Sequence, residues 1–166
     1  MAVVFETERL NIETFKPNDS AFWKVLHTLP DIIIFTADKS TDDEAELQKK
    51  IIDNKRRKLT RWKVMLKNNS TPIGLCGFKK HGKEFHLGFR LLKRFRKKGF
   101  ATEAASTCID YAFRNTGLKK ISAYSMPDNK ASIKVLKKCN FSFVERYFEN
   151  KIEWLRFELR KSDWNK

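Results

Sequence analysis

The residues with the clearest chemical potential lie in one stretch, 93–104, where a basic run meets a glycine. Residues 93–98 include five lysines or arginines, and Gly99 follows them directly. From residue 100 to about residue 115, apolar residues recur at helical spacing. The first turn of a helix has unpaired backbone N–H groups and a partial positive charge, so it attracts anions. The stretch therefore predicts a phosphate site at a helix start.

The candidate residues of this anion site share a place in the basic turn or in the first helical turn. Gly99 lacks the Cβ that would keep a phosphate from the backbone, and Thr102 adds a hydroxyl. A single glycine without a Lys-Ser/Thr ending matches neither the phosphate loop of nucleoside triphosphatases nor the G-x-G-x-x-G dinucleotide loop. A basic loop that merely precedes a helix is the alternative. The candidates are Arg96, Lys97, Lys98, Gly99, Phe100, Ala101 and Thr102.

Strands and helices in mixed order must position this site. Alternating polarity predicts strands, and apolar residues three to four apart predict helices. The strands are expected at 8–15, 62–66, 72–78, 84–91, 121–125, 141–147 and 152–159, and the helices at 19–28, 41–58, 100–115 and 129–138. This order predicts one α/β (α+β) domain over residues 1–166, with about seven strands in a mixed central sheet. The strands around the 100–115 helix can be parallel neighbours.

The composition is that of a globular chain. Of the 166 residues, 41% are hydrophobic and 33% are charged. No apolar run approaches the roughly 18 residues of a membrane span, and residues 1–6 lack the pattern of a signal peptide. The three cysteines, Cys76, Cys108 and Cys139, are widely spaced and form no CxxC pattern. We therefore expect no membrane segment, no metal site, no disulfide framework and a reducing cytoplasmic location.

The formal net charge of +15 is the one extreme value in the composition. Lysines and arginines concentrate at 49–67 and 79–98. Such a charge raises the encounter rate with polyanions, whether nucleotide, RNA or ribosome. For 49–67, a solvated lysine-rich surface is an equally good interpretation.

Four short motifs occur in order along most of the chain. Residues 96–101 match [Q/R]-x-x-G-x-[G/A], residues 7–10 read T-E-R-L, residues 72–74 read P-I-G, and residues 128–132 and 138–141 read D-N-K-A-S and K-C-N-F. With these motifs the sequence resembles the GNAT superfamily of N-acetyltransferases, and within it the ribosomal-protein N-terminal acetyltransferases of the RimJ/RimL type. The resemblance runs from about residue 7 to residue 157.

The resemblance implies a splayed sheet that binds acetyl-CoA between the strands at 84–91 and 121–125. The first of these strands would pair its backbone with the pantetheine arm, and the amides of 96–101 would hold the pyrophosphate. An asparagine at the later helix start would hydrogen-bond the pantetheine, and a serine one turn on would lie near the sulfur. The residues implied in addition to the 96–102 segment are Phe89, Arg90, Leu91, Asn129 and Ser132.

Two positions depart from the pattern of the branch. The branch often has glycine where this chain has Lys97, which adds charge but has less backbone freedom. The glycine of the K-x-G-F motif is Asn140 here. Asparagine is a tolerable substitute because it visits the left-handed backbone region.

Acetyl transfer to an amine needs an unprotonated nucleophile, a polarised carbonyl and a proton for the leaving thiolate. The tyrosine that many GNAT enzymes use as the acid corresponds to Leu136, so Ser132 is the predicted acid; an ordinary helix hydroxyl is the alternative. The glutamate that the branch places two residues before the strand glycine corresponds to His86. Glu84 would share its face of the strand, and Glu149 is a comparable candidate for the base. A water chain also suffices for an α-amine, whose pKa lies near 8.

The expected acceptor is a protein N-terminal α-amine, possibly on a ribosomal protein. One alternative is a small amine such as an antibiotic, an amino acid or a polyamine, with polyamines disfavoured by the charge of +15. The alternative of another class is a non-catalytic ribosome- or RNA-binding module on the same fold. Monomer and homodimer both remain open. Candidate groove aromatics, with core packing as their other interpretation, are Phe35, Trp62, Tyr124, Phe148 and Trp154.

Overall fold

The computed structural model describes residues 3–36 and 43–164, which build a mixed sheet and five helices. The strands are β1 (Val3–Glu6), β2 (Leu10–Glu13), β3 (Arg61–Leu66), β4 (Pro72–His81), β5 (Glu84–Leu91), β6 (Lys120–Ser125), β7 (Ser142–Glu149) and β8 (Ile152–Arg160). The helices are α1 (Ser20–Thr28), α2 (Pro30–Ile33), α3 (Glu44–Lys55), α4 (Phe100–Asn115) and α5 (Lys130–Lys138). Among these residues the helices include none that is long and apolar enough to cross a membrane.

The eight strands form one sheet in the order β1-β2-β3-β4-β5-β6-β8-β7. Every neighbouring pair is antiparallel except β5 and β6, which are parallel because α4 connects them. These two strands are in register only at His86–Ser122 and Leu87–Ala123. Beyond that point β5 continues to Leu91, still paired with β4. The sheet is therefore splayed between β5 and β6.

Helices pack on both faces of the sheet. A larger apolar cluster joins α4 and α5 to one face and includes Cys76 of β4. A smaller cluster joins α1, α2 and α3 and includes Leu75 of the same strand. Successive residues of a strand point to opposite faces, so the two helical layers lie on opposite sides of the sheet. The site described below uses the start of α4 and the face that α4 leaves free.

The predicted mixed α/β sheet is confirmed, with three differences in detail. The sheet has eight strands rather than about seven, because Val3–Glu6 adds an edge strand before the predicted first one. A short helix, α2, follows α1 and had not been expected. The helix predicted at 41–58 is described from Glu44 to Lys55, and Asp43 caps it by accepting from the amide of Glu46 at 3.1 Å. Residues 41 and 42 lie outside the described residues.

The backbone at the end of α5 confirms that asparagine can take the place of glycine there. Asn140 holds a left-handed φ of +66°. The amide of Phe141 donates to the carbonyl of Leu136, and the amide of Asn140 donates to that of Lys137, each at 3.0 Å. This pair of bonds satisfies the last carbonyls of the helix.

Candidate functional site

The anion site was predicted at the start of α4. Gly99 directly precedes the helix and holds φ at +83°, a left-handed value that suits glycine. Within the described ranges no side chain caps this helix start. Asp43 and Asn129, in contrast, cap α3 and α5 by accepting from backbone N–H groups. The first amides of α4 are therefore open to an external acceptor.

The basic side chains before α4 differ in what they contact. Lys97 and Lys98 are exposed, and Lys97 also holds a left-handed φ of +61°. Arg96 turns back into the fold: its Nε donates to the carbonyl of Leu91 at 2.9 Å, and its Nη1 lies 2.8 Å from Oδ2 of Asp31. The prediction that the Arg96 side chain adds charge to the anion site is therefore corrected, because Asp31 neutralises it.

Arg9 joins this site from a distant part of the chain. Its Nε and Nη2 both lie 2.7 Å from Oε2 of Glu103, and its Nη1 donates to the carbonyl of Lys98 at 3.0 Å. Its guanidinium also lies 4.3 Å from the ring centre of Phe100. Thr7 adds a hydroxyl that donates to Oε1 of Glu103 at 2.5 Å. The T-E-R-L segment thus clamps the first turn of α4 and the loop before it.

Sequence reasoning assigned Arg9 no role. The T-E-R-L motif was the available signal, but one sequence does not pair its arginine with a glutamate 94 residues away. Arg9 is the ion-pair partner of Glu103. Burial raises the pKa of Glu103, but hydrogen bonds from Thr7 and Arg9 outweigh burial and hold that pKa below its ordinary value.

The opening between β5 and β6 exposes one backbone edge of β5. Phe89, Arg90 and Leu91 are in register with β4 on one side, while the pairing with β6 ends at Leu87. The guanidinium of Arg90 is directed away from this opening, since its Nη1 donates to the carbonyl of Leu26 in α1 at 3.2 Å. Apart from the Leu91 carbonyl, which accepts from Arg96, this edge offers the backbone donors and acceptors that an extended ligand needs.

Two further predicted residues lie at the start of α5, directly after β6. Asn129 Oδ1 accepts from the amide of Ser132 at 3.2 Å, which caps the helix. The side-chain nitrogen of Asn129 is left as a donor. Ser132 is half-buried. Its hydroxyl makes no bond back to the helix among the described residues, unlike that of Thr107, which donates to the carbonyl of Glu103 at 3.1 Å.

An open pocket of about 610 Å³ lies on the sheet face opposite α4. Its floor includes Tyr124 of β6, which alternates with Ile121 and Ala123 of the α4 cluster. Lys120, Arg156 and His81 contribute nitrogen atoms. The remaining lining residues are Glu84, Glu145, Glu149, Glu158, Tyr147 and Phe148.

His86 lies behind this pocket, where β5 and β6 are still paired. Its ring packs against Tyr124, with ring centres 4.4 Å apart, and against His81 at 5.5 Å. Burial, aided by His81, lowers the pKa of His86 to about 4. Its Nε2 is buried and has no hydrogen-bond partner among the described residues. With this pKa the ring is neutral at pH 7 and a poor proton acceptor, which weighs against His86 as the base.

Two of the predicted carboxylates line the pocket. Glu84 shares the face of His86 as expected, with 3.8 Å between Glu84 Oε2 and His86 Nε2 and 3.6 Å between Glu84 Oε1 and Lys120 Nζ. Glu149 is exposed at the end of β7, beside the hairpin turn. Ser132 does not line the pocket. The structure thus gathers Glu84, His86 and Glu149 around one pocket and leaves Ser132 at a separate helix start.

Of the five aromatic candidates, two line the pocket, one lies in the core, and two, Phe35 and Trp154, are half-buried outside both. Tyr124 and Phe148 line the pocket, and Phe148 is 70% exposed. Trp62 is 2% exposed and belongs to the larger apolar cluster. Tyr147, which sequence reasoning missed, also lines the pocket. Burial and the nearby charge of Glu149 raise its pKa to about 12, so it is a neutral hydrogen-bond donor.

The sequence is similar to known acetyltransferases over most of its length. A family model described as an acetyltransferase (GNAT) domain matches residues 9–142. The uncharacterized N-acetyltransferase YnaD of Bacillus subtilis (strain 168) is 24% identical over 169 residues, spanning 96% of this chain and 98% of that protein. The uncharacterized N-acetyltransferase p20 of Bacillus licheniformis is 36% identical over 84 residues, which cover 49% of this chain and 47% of that protein.

Solved acetyltransferases have the same fold. A GNAT-family acetyltransferase from Bacillus anthracis superposes with a TM-score of 0.81 at 19% identity, covering 98% of this chain and 99% of that one. A ribosomal-protein-S5-alanine acetyltransferase from Vibrio fischeri gives 0.79 at 19% identity, covering 98% of each chain. A spermidine N-acetyltransferase from Vibrio cholerae gives 0.81 at 17% identity, covering 95% of this chain and 99% of that one.

Proposed function

Since this chain belongs to the GNAT family and is an acetyl-CoA-dependent N-acetyltransferase, we propose that it acetylates a protein N-terminal α-amine, as ribosomal-protein acetyltransferases do. The observation that carries the proposal is the parting of β5 from β6 after Leu87, which leaves an edge of β5 without a strand partner. Two further features support it, namely the uncapped start of α4 and the carboxylate-lined pocket beside His86. In the proposal they serve as a strand-pairing edge, an anion site and an amine site.

The described residues fit coenzyme A. The open amides of α4, with Lys97 and Lys98 beside them, suit its pyrophosphate. The amide-containing pantetheine arm matches the free backbone edge of Phe89, Arg90 and Leu91. The side-chain nitrogen of Asn129 would donate to the same arm. Phe100, Ala101 and Thr102 supply the remaining amides of the first turn.

The chemistry is a direct displacement. The amine nitrogen attacks the thioester carbonyl carbon, the carbon–sulfur bond breaks, and the thiolate leaves and takes up a proton. A backbone N–H on the free edge of β5 would stabilise the oxygen that becomes negative. Ser132 would protonate the thiolate. Glu149 or Glu84 would accept the proton of the amine, directly or through water, because His86 with its pKa of about 4 is a poor acceptor.

A protein N-terminus suits these groups better than a lysine side chain. An α-amine has a pKa near 8, whereas that of lysine is about 10.4. At neutral pH a larger fraction of an α-amine is therefore unprotonated, so a carboxylate or a water chain suffices as the proton acceptor. The T-E-R-L and D-N-K-A-S motifs and the charge of +15, which suits approach to ribosomal RNA, also support this acceptor. Three buried free cysteines support a reducing cytoplasmic location.

Thiol release tests the proposal. The protein is incubated with acetyl-CoA and N-terminal peptides, peptides with a blocked N-terminus and an internal lysine, or small amines. We expect the free N-terminal peptides to give the highest kcat/KM. Activity on small amines alone would reject the protein acceptor. Tight RNA binding without any thiol release would instead support the non-catalytic module.

Single substitutions then sort the proton carriers. We expect Ser132→Ala to lower kcat about tenfold or more, because its hydroxyl would no longer protonate the thiolate. Glu84→Gln and Glu149→Gln identify the base, since only the variant that lacks it should lower kcat and shift the pH profile. If none of the three loses about tenfold, water carries both protons and these roles are wrong.

A further inference from the structure

The pocket has a negative charge that the rest of the molecule does not share. Its lining includes four glutamates but only two permanent cations, Lys120 and Arg156. The pocket therefore has two more carboxylates than cations, while the chain as a whole carries +15. Charges within a few ångströms determine which ligand binds, because charges beyond a Debye length of about 10 Å are screened. The pocket thus selects cations although the whole protein repels them.

The two cations of the pocket neutralise two particular carboxylates. Glu158 lies 2.9 Å from Lys120 Nζ and also pairs with Arg156. Glu145 Oε1 lies 2.9 Å from Nε of Arg156. Glu84 shares Lys120 at the longer distance of 3.6 Å. The surplus negative charge therefore rests on the other two lining carboxylates, and most fully on Glu149, which has no ion-pair partner among the described residues.

These two carboxylates occupy opposite ends of the pocket. Glu84 lies beside the first residue of β6. Glu149 lies at the tip of the β7–β8 hairpin, in register with Ile152. Tyr124 lies between them, one residue beyond the last β5–β6 pair. An acceptor that reacts near Tyr124 therefore has Glu149 within reach of a group farther along its chain.

Aromatic side chains border the outer end. Tyr147 and Phe148 directly precede Glu149 in the sequence, and both line the pocket. Phe148 is 70% exposed, so its ring is accessible to a ligand. Aromatic faces attract organic cations, and a neighbouring carboxylate adds to this attraction. The outer end of the pocket thus has the composition of a site for an alkylammonium or guanidinium group.

We propose that the acceptor is dicationic: it carries the amine to be acetylated and a second positive group that Glu149, Tyr147 and Phe148 bind. The inference rests on the proposed acetyl transfer and adds a substrate class to it. Two sources have this chemistry, namely a peptide whose N-terminal residue is followed by lysine or arginine, and a small linear diamine. In this assignment Glu149 determines specificity and Glu84 remains the candidate base.

Matched pairs of acceptors test the inference. One pair is a peptide beginning Ser-Lys and the same peptide with norleucine in place of lysine. The other is 1,4-diaminobutane and 1-aminobutane. We expect the dicationic member of at least one pair to have a kcat/KM about fivefold higher, as one exposed ion pair provides. The pair that shows the preference identifies the source.

Two variants test whether Glu149 causes the preference for the dicationic acceptor. Glu149→Gln should remove the preference, because the KM for the dicationic acceptor should rise more than the KM for its monocationic match until the two kcat/KM values are equal. Asp163→Asn, which removes an exposed carboxylate outside the pocket, should keep the preference.

Equal kcat/KM within both pairs overturns the inference, as does a preference that survives Glu149→Gln. A loss of kcat with both members alike makes Glu149 the base and also overturns it. Absence of thiol release with every acceptor rejects the proposed function instead.

Discussion

At the scale of single residues, Lys97 combines two opposed effects. Its φ of +61° lies in the left-handed region, where a side chain costs about 1 kcal/mol or more. Its exposed side chain belongs to the residue two positions before Gly99, next to the turn where an anion is expected. A lysine at this position therefore adds charge to the site at the expense of backbone stability.

The substitution Lys97→Gly should separate these effects. We expect the free energy of unfolding to rise by roughly 0.5–1 kcal/mol, because glycine adopts positive φ without strain. We also expect the KM for acetyl-CoA to rise about two- to fivefold, as one exposed charge is lost. Urea unfolding and steady-state kinetics measure the two quantities.

Lys98→Gly is the matched control. Lys98 has the same charge and exposure, but it is not among the residues with positive φ. The variant should raise the KM for acetyl-CoA similarly while it lowers the free energy of unfolding. If Lys97→Gly also lowers that free energy, the backbone at Lys97 is not strained.

His86 should make the fold sensitive to acid. Burial lowers its pKa from 6.5 to about 4, with His81 and Lys79 adding to the shift and Glu84 opposing it. Between these pH values the unfolded chain binds a proton that the folded protein does not. The free energy of unfolding therefore falls as the pH drops from 6.5 to about 4, by up to about 1.4 kcal/mol per pH unit for one proton. Above pH 6.5 this contribution is constant.

His86→Gln should flatten the dependence in that window. Urea unfolding at pH 7, 5.5 and 4.5 would show a slope smaller by up to one proton, whereas His81→Gln, which alters an exposed ring, should change the slope much less. An unchanged slope in His86→Gln would mean that the imidazole is protonated as readily in the folded protein as in the unfolded chain.

At the scale of elements, the T-E-R-L segment and α4 form one unit. Arg9 contacts the carboxylate of Glu103, the carbonyl of Lys98 and the ring of Phe100. All three lie within the turn whose amides face the expected pyrophosphate. We therefore expect Arg9 to act as a positioning residue, which affects cofactor binding through the backbone of this turn.

We expect Arg9→Ala to raise the KM for acetyl-CoA about tenfold while kcat stays within twofold, because the turn loses its fixed geometry and the pocket does not. Titration with coenzyme A in a calorimeter should show the same loss of affinity. Arg146→Ala removes a comparable exposed pair, with 2.8 Å between Arg146 Nε and Glu153 Oε1, and should leave both constants unchanged. If Arg9→Ala is less stable but its KM for acetyl-CoA is unchanged, the contacts of Arg9 stabilise the fold and do not affect cofactor binding.

Local patterns predicted most elements of this fold. Strand β5 and helix α4 were predicted with their observed bounds, since each has a clear period and a glycine or turn at its end. Strand β1 was missed because Val3, Val4 and Phe5 are consecutive apolar residues without alternation. Its identity as a strand depends on pairing with β2, which is tertiary information.

The donor side of the site was more predictable than the acceptor side. Gly99 and Asn129 each lie at the start of a helix. The basic run before α4 singled out Gly99, and the D-N-K-A-S motif of the family resemblance singled out Asn129. Arg9, Tyr147 and the ion pairs of Glu158 depend on contacts between distant segments. The ion pair between Arg96 and Asp31 was not predicted for the same reason, because the two residues lie 65 positions apart in the sequence.

At the scale of the whole molecule, global and local charge act on different substrates. The net charge of +15 attracts the phosphates of coenzyme A from a distance. The glutamates of the pocket act only on a group that has already entered it. Sequence composition reports the first effect and conceals the second, which is why polyamines looked unfavourable before the pocket was known.

The salt dependence of the KM for two donors, acetyl-CoA and acetylpantetheine, should reveal the effect of the net charge. We expect the KM for acetyl-CoA to rise several-fold between 50 and 300 mM KCl, because salt screens the attraction between a cationic surface and the nucleotide phosphates. Acetylpantetheine lacks those phosphates but keeps the thioester and the arm, so its KM should stay nearly constant. Steady-state kinetics at one fixed acceptor concentration would measure both. A parallel rise for the two donors would show that salt acts on the acceptor or on the fold, and the net charge would then have no role in donor binding.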